Sequence, residues 1–132
     1  MTNAESVESK KRKGNQFRLS IGQNQKDFID KLTKATNLRK GELIWQSVLF
    51  ANNQKVAISL LNEYFNFIYD KKHGIVTYFQ KVMTSHVDLK NASEHYKKEG
   101  YNIGIKGVVL LYLLNYASNY LRIDISEYKN FN

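Results

Sequence analysis

An alternation of apolar and polar residues over residues 16–21 is the first ordered pattern in the chain. The apolar members are Phe17, Leu19 and Ile21, and the polar members are Gln16, Arg18 and Ser20. A period of two places each set on its own face of a β-strand. A lone strand leaves backbone groups unpaired on both edges. We therefore predict antiparallel pairing with the same strand of a second copy, about a two-fold axis.

Two helical patterns follow the strand. The first carries Phe28, Ile29 and Leu32 at helical spacing, with Asn24 as the predicted N-cap and Asn37 as a left-handed C-terminal end. The second predicts a helix over about residues 40–53 with two apolar stripes. One stripe is Leu43, Ile44, Val48 and Ala51, and the other is Trp45, Leu49 and Phe50. A helix that is apolar on several sides is buried on several sides, so we expect residues beyond 54 to cover the second stripe.

The outer face of the predicted ribbon carries the candidate binding residues. These are Gln16, Arg18 and Ser20, in two copies. A two-stranded β-ribbon fits the major groove of DNA, where arginine suits guanine and glutamine suits adenine. We predict that these three residues read base edges.

The charge of the chain is uneven. The formal net charge is +8; residues 1–41 hold ten Lys/Arg against four Asp/Glu, and residues 42–132 hold ten against eight. Such asymmetry favours a polyanionic partner, because each neutralised phosphate releases counterions. Residues 1–14 are predicted to be a basic flexible tail whose Lys11, Arg12 and Lys13 contact phosphates, with a merely solubilising tail as the alternative.

The second half of the chain has a less clear pattern. Residues 56–69 predict a third helix, whereas residues 75–82 fit both a strand and a helical face. A capping box at Ser85–Asp88 predicts a helix that ends at Gly100. Residues 108–121 predict a strongly apolar last helix, and residues 122–132 a mixed tail that packs back on the body.

Two interpretations of residues 54–132 remain open. The preferred one is a helical domain that either oligomerises or docks a protein partner. The alternative is a degenerate second copy of the first unit, because Lys106-Gly107 repeats Lys40-Gly41. Against the repeat, Ile75, Thr77, Phe79 and Lys81 make a poor reading face, although the opposite face includes Gln80.

Residues 14–53 resemble the ribbon-helix-helix family of DNA-binding proteins, of the Arc and methionine-repressor type. The resemblance rests on the Arg18–Ile21 strand, the first helix, the turn at residues 37–40 and the Leu43-Ile44 start of the second helix. It implies base reading by Gln16, Arg18 and Ser20. It also implies a phosphate anchored where the second helix begins, at Arg39, Lys40 and Gly41. Family members act as transcriptional repressors, plasmid copy-control and partition proteins, antitoxins, or accessory factors at plasmid transfer origins.

Other kinds of chemistry have little support in the sequence. The chain has no Cys, and its three His residues lie on separate segments outside any metal or hydrolase motif. We predict no enzymatic activity, no cofactor and no metal. Residues 1–14 lack the apolar segment of a signal peptide, and the longest apolar run, residues 108–114, is too short to span a bilayer. We therefore expect a cytoplasmic protein with no membrane partner.

The sequence thus predicts a mainly α-helical protein with three parts. Residues 1–14 form the tail, residues 15–53 a ribbon-helix-helix DNA-binding domain, and residues 54–132 the helical oligomerisation or partner domain. The predicted function is sequence-specific binding of double-stranded DNA by a homodimer, with higher-order assembly on adjacent sites, as a plasmid-type regulator or nucleoprotein accessory factor. The alternative is a protein–protein adaptor whose basic half is incidental.

Overall fold

The computed structural model describes residues 16–53, 56–70, 74–80 and 83–129. These residues form a mainly α-helical fold with one two-stranded antiparallel sheet. The helices are α1 (Gln23–Thr36), α2 (Lys40–Asn53), α3 (Ile58–Glu63), α4 (Phe65–Ile68), α5 (Met83–Lys98) and α6 (Ile105–Asn119), and a 3-10 turn spans Ser126–Tyr128. The strands are β1 (Gln16–Ile21) and β2 (Ile75–Gln80). Within the described ranges, no helix is both long enough and apolar enough to cross a bilayer.

The partner of β1 is β2 of the same chain. The strands run antiparallel, with Gln16 opposite Gln80, Arg18 opposite Tyr78 and Ile21 opposite Ile75. The sequence predicted pairing of β1 with a second copy, whereas in the structure β1 pairs with β2 of the same chain. The segment that fitted both periodicities is the second strand, and it satisfies the backbone groups on one edge of β1.

The order strand, helix, helix occurs twice along the chain. The first set is β1, α1 and α2, the second is β2, α5 and α6, and the short helices α3 and α4 lie between them. This order agrees with the alternative interpretation of residues 75–121 better than with the preferred helical extension.

The two long central helices, α2 and α6, pack against each other at the centre of the molecule. Residues 107–117 of α6 are all buried, as its all-round apolar sequence requires. The second stripe of α2 is covered in part: the Phe50 ring lies 5.5 Å from the Tyr120 ring and 6.1 Å from the Tyr116 ring, between centroids. Trp45 and Leu49 stay half-buried.

The first helix begins and ends by local hydrogen bonds. The Gly22 N–H donates to Gln25 Oε1 at 3.1 Å, so the helix begins at Gln23 and the predicted N-cap, Asn24, lies inside it. At the other end Asn37 has φ 60°, and its N–H donates to the Thr33 carbonyl at 2.8 Å. The left-handed end at Asn37 is therefore confirmed.

Three of the predicted helical segments differ from the structure. Residues 56–69 form two short helices, because the backbone at Tyr64 leaves helical geometry with φ −108° and ψ 22°. The helix predicted from Ser85 begins earlier, at Met83. The last helix occupies Ile105–Asn119 rather than residues 108–121.

The segment between the two halves and the C-terminal turn pack on α1. The rings of Phe28, Phe67 and Tyr128 meet with centroids 4.7–5.5 Å apart. Gln25 is fully buried and donates from Nε2 to the Phe67 carbonyl at 2.9 Å. The predicted packing of the C-terminal residues on the body is confirmed for Ile125 and Tyr128, which are buried.

Candidate nucleic-acid interface

The two-stranded sheet has one buried and one exposed face. Leu19, Ile21 and Thr77 are buried against the helices. On the other face Arg18 and Ser20 are exposed, together with Val76 (44% exposed) and Tyr78 (58% exposed). We call this exposed side, formed by Arg18, Ser20, Val76 and Tyr78, the outer face. It is a mixed surface of hydrogen-bond donors and apolar groups.

The register sets the neighbours on the outer face. Arg18 lies directly opposite Tyr78, and Ser20 lies opposite Val76. Directly opposed residues of an antiparallel pair have Cβ atoms about 4.5–5.5 Å apart, so each pair can act on a single small target. Gln16 stands opposite Gln80 at the end of the sheet.

The sequence pattern did not predict two members of this surface. It predicted second copies of Gln16, Arg18 and Ser20 on the adjacent strand, whereas Val76 and Tyr78 are there. The face with Ile75, Thr77, Phe79 and Lys81 was judged a poor reading face, and in the structure Thr77 of that face is buried while Tyr78 of the opposite face is exposed. Alternation groups Val76 with Tyr78 on one face of this segment, and the register with β1 places that face outward.

The Ser20 hydroxyl holds the start of the second strand. Its Oγ accepts a hydrogen bond from the Gly74 N–H at 3.0 Å. Gly74 has φ 113°, a conformation in which a side chain would be strained. Ser20 therefore contributes to the join between the strands as well as to the outer face.

Ser20→Ala is expected to loosen that join. Loss of an intramolecular hydrogen bond of this kind lowers stability by about 0.5–1.5 kcal/mol, and the exposed position favours the lower end. Chemical denaturation of the variant and the parent measures the difference. Ser59→Ala is the control, because Ser59 is also an exposed serine but lies on α3, away from the join between the strands. Equal stability of Ser20→Ala and the parent would contradict the role assigned to this hydrogen bond.

The predicted phosphate residues lie at the beginning of α2. Arg39 is exposed, Lys40 is half-buried and Gly41 is buried. The Arg39 carbonyl accepts from the Leu43 N–H at 2.8 Å and so closes the first turn of the helix. The N–H groups of that turn point away from the helix body and, with the two cations, form a positive end suited to an anion. Glu42 in the same turn is exposed and offsets part of this charge.

The beginning of α6 has a different electrostatic environment. Lys106 lies there beside Asp70, and both line a cavity of about 210 Å³ with Gly104 and Gly107. Burial lowers the pKa of Lys106, and the nearby Asp70 partly offsets this effect. A Cβ added at Gly107 would lie 3.1 Å from the Ile103 Cβ, so the helix fits closely against the preceding loop.

The remaining predicted site residues come at or before the start of β1 in the sequence. Lys11, Arg12 and Lys13 lie outside the described residues, and for Gln16 the structure describes the backbone. Across the part of the chain that is described, no group of three His, Asp or Glu side chains could hold a metal ion.

A larger cavity lies away from the sheet. It has a volume of about 440 Å³ between α2, α3 and α5, and Asp88, His95, Glu99 and Tyr112 contribute to its lining. The Asn52 side chain donates to Asp88 at 3.2 Å across one edge of it. Burial raises the pKa of Tyr112 to about 12, so this phenol stays protonated at neutral pH.

Comparison of the chain with protein-family models, curated proteins and solved structures found no match.

Proposed function

We propose that this chain binds double-stranded DNA and reads the major groove with its two-stranded sheet. The observation that carries the proposal is the pairing of β1 with β2, which buries one face and exposes Arg18, Ser20, Val76 and Tyr78 on the other. The major groove admits a two-stranded ribbon whose outward side chains contact base edges. In this proposal the outer face enters the groove.

The repeated order of elements supports a tandem ribbon-helix-helix arrangement in one chain. Each half supplies one strand, one helix that follows it and one central helix, and the central helices α2 and α6 pack together. The equivalent starts of these helices carry Lys40-Gly41 and Lys106-Gly107. A second chain is then not needed to complete the ribbon.

Charge supports the choice of a polyanionic partner. The formal net charge is +8. Arg39 and Lys40 at the beginning of α2 suit a phosphate, since a helix N-terminus offers backbone N–H groups and positive potential. We assign Arg39, Lys40, Gly41 and the tail residues Lys11, Arg12 and Lys13 to phosphate contacts, which fix the protein on the duplex without reading sequence.

Base reading is assigned to the ribbon. Arg18 has the planar donor pair that guanine O6 and N7 accept, and Gln16 can pair with adenine. Ser20 keeps a hydroxyl donor for a base while its oxygen accepts from Gly74. The resulting protein is a sequence-specific regulator or a nucleoprotein accessory factor of the plasmid type. The competing class is a protein–protein adaptor whose basic half is incidental. Such an adaptor would not require exposed hydrogen-bond donors on a ribbon.

Arg18→Ala is expected to reduce discrimination between the preferred site and other duplexes by about 1–3 kcal/mol. The preferred site is first selected from a randomised duplex library with the parent protein. Fluorescence anisotropy then measures affinity for that site and for a scrambled duplex, at several salt concentrations. The fold should be unaffected, because the Arg18 side chain is exposed.

Lys97→Ala is the matched control for this experiment. Lys97 is exposed near the end of α5, so its replacement removes the same charge away from the ribbon. It should leave discrimination unchanged. If Arg18→Ala discriminates as well as the parent, the ribbon is not the reading element. If the parent binds duplex DNA without a steep salt dependence, the adaptor class replaces the proposal.

A further inference from the structure

We infer that the DNA site is not palindromic, with guanine under the β1 side of the ribbon and thymine methyl groups under the β2 side. This inference rests on the proposed function and adds the chemistry of the target. It follows from the difference between the two strands of the outer face.

The β1 side of the outer face offers hydrogen-bond donors. Arg18 and Ser20 are both exposed, and an arginine makes its best base contact with the two acceptors of guanine. This side therefore favours a base that presents acceptors to the groove.

The two described side chains of the β2 side offer mainly apolar surface, and the Tyr78 hydroxyl is their one polar group. Val76 and Tyr78 are among the exposed large hydrophobic residues, and Val76 has no polar side-chain atom. The apolar group that a base presents in the major groove is the C5-methyl of thymine. A valine side chain contacts that methyl group and gains nothing from the acceptors of guanine.

The register places the donor side chains of β1 directly opposite the apolar side chains of β2. Arg18 is opposite Tyr78, and Ser20 is opposite Val76. A ribbon with two-fold symmetry about the first pair would place two identical residues there. Because the opposed residues differ in kind, the two halves of the site must differ as well.

The beginnings of α2 and α6 also differ, and the difference is one of charge. Arg39 and Lys40 stand exposed or half-buried at the beginning of α2, whereas Lys106 at the beginning of α6 lies beside Asp70. A phosphate is favoured at the first of these and opposed by the carboxylate at the second. The backbone contacts thus share the asymmetry of the ribbon.

The first test is the symmetry of the site selected by the full chain from a randomised duplex library. We expect a non-palindromic sequence with guanine in one half and thymine in the other. A palindromic site bound tightly would overturn the inference and leave the proposed function intact. Absence of duplex binding at low salt, or a preference for single strands stacked on Tyr78, would overturn both.

The second test removes the methyl group alone. Replacing the selected thymines with deoxyuridine deletes the C5-methyl and keeps every hydrogen-bonding group of the base. Affinity should fall by roughly fourfold for each contacted methyl, the value of one buried methyl-sized group. An unchanged affinity would contradict the assignment of thymine to β2.

Variants of the outer face test whether the preference for thymine depends on β2. Val76→Ser should bind the thymine and deoxyuridine sites equally, while Arg18→Ala should keep the difference between them. Val87→Ser is the control, because Val87 is also an exposed valine but lies on α5. Thermal melting by circular dichroism confirms that each variant is folded. If Val76→Ser and Tyr78→Ala both retain the thymine preference, the β2 side does not contact the methyl groups.

Discussion

A fragment that ends at Asn53 is expected to be unfolded as a monomer. It keeps β1, α1 and α2 but loses the strand that pairs with β1 and the helix α6 that packs on α2. Leu43, Ile44 and Val48 would lose much of their cover. Each large apolar side chain left in water forfeits about 1.5–3 kcal/mol. Folded domains are stable by only about 5–15 kcal/mol in total, so the losses at three such side chains are comparable to the whole stability of a domain.

Circular dichroism and sedimentation measure the outcome for this fragment. The control is co-expression of residues 1–53 with residues 56–132, which should restore cooperative melting because all paired elements are then present. A cooperatively folded monomeric fragment would contradict the expectation that the first half needs β2 and α6 to fold. A folded dimer of the fragment would show that β1 can also pair with a second copy of itself.

Phe67→Ala is expected to lower the free energy of unfolding by about 3–5 kcal/mol, as truncation of a buried phenylalanine generally does. Phe67 is 0% exposed, and its ring packs against those of Phe28 and Tyr128. The backbone carbonyl of Phe67 also accepts a hydrogen bond from the Gln25 side chain. The change would leave a cavity where α1, α4 and the C-terminal turn meet.

Phe65→Ala is the matched control in the same short helix. Phe65 is 49% exposed and stacks on Tyr69 with ring centroids 4.3 Å apart. Its loss should reduce stability by about 1 kcal/mol or less. Urea denaturation of both variants measures the two values. Equal effects would mean that the segment between the halves is not part of the common core.

Local patterns predicted the elements of the first half well. Alternation identified β1, with Leu19 and Ile21 on the buried face. Helical spacing predicted α2 with the bounds that the structure has, and Asn37 ends α1 as predicted. These features depend on neighbours within a few residues, so the sequence contains the information needed to predict them.

The partner of β1 could not be predicted in the same way. Residues 75–80 fit both periodicities because Ile75 and Phe79 are also spaced as on one helical face. Nothing local distinguishes pairing with this segment from pairing with a second copy, since both satisfy the same backbone groups. Tyr78 was missed for the same reason, because its place on the outer face follows from the register.

The covalent link between β1 and β2 changes how the amount of complete ribbon depends on the protein level. A ribbon assembled from two copies dissociates on dilution, and its abundance in a dilute cell follows the square of the protein level. Here β1 and β2 belong to one polypeptide, so the ribbon is complete in every folded molecule. Its amount rises in direct proportion to synthesis and survives at a few molecules per cell. The outer face is therefore present in every folded molecule, without a threshold concentration below which it disappears.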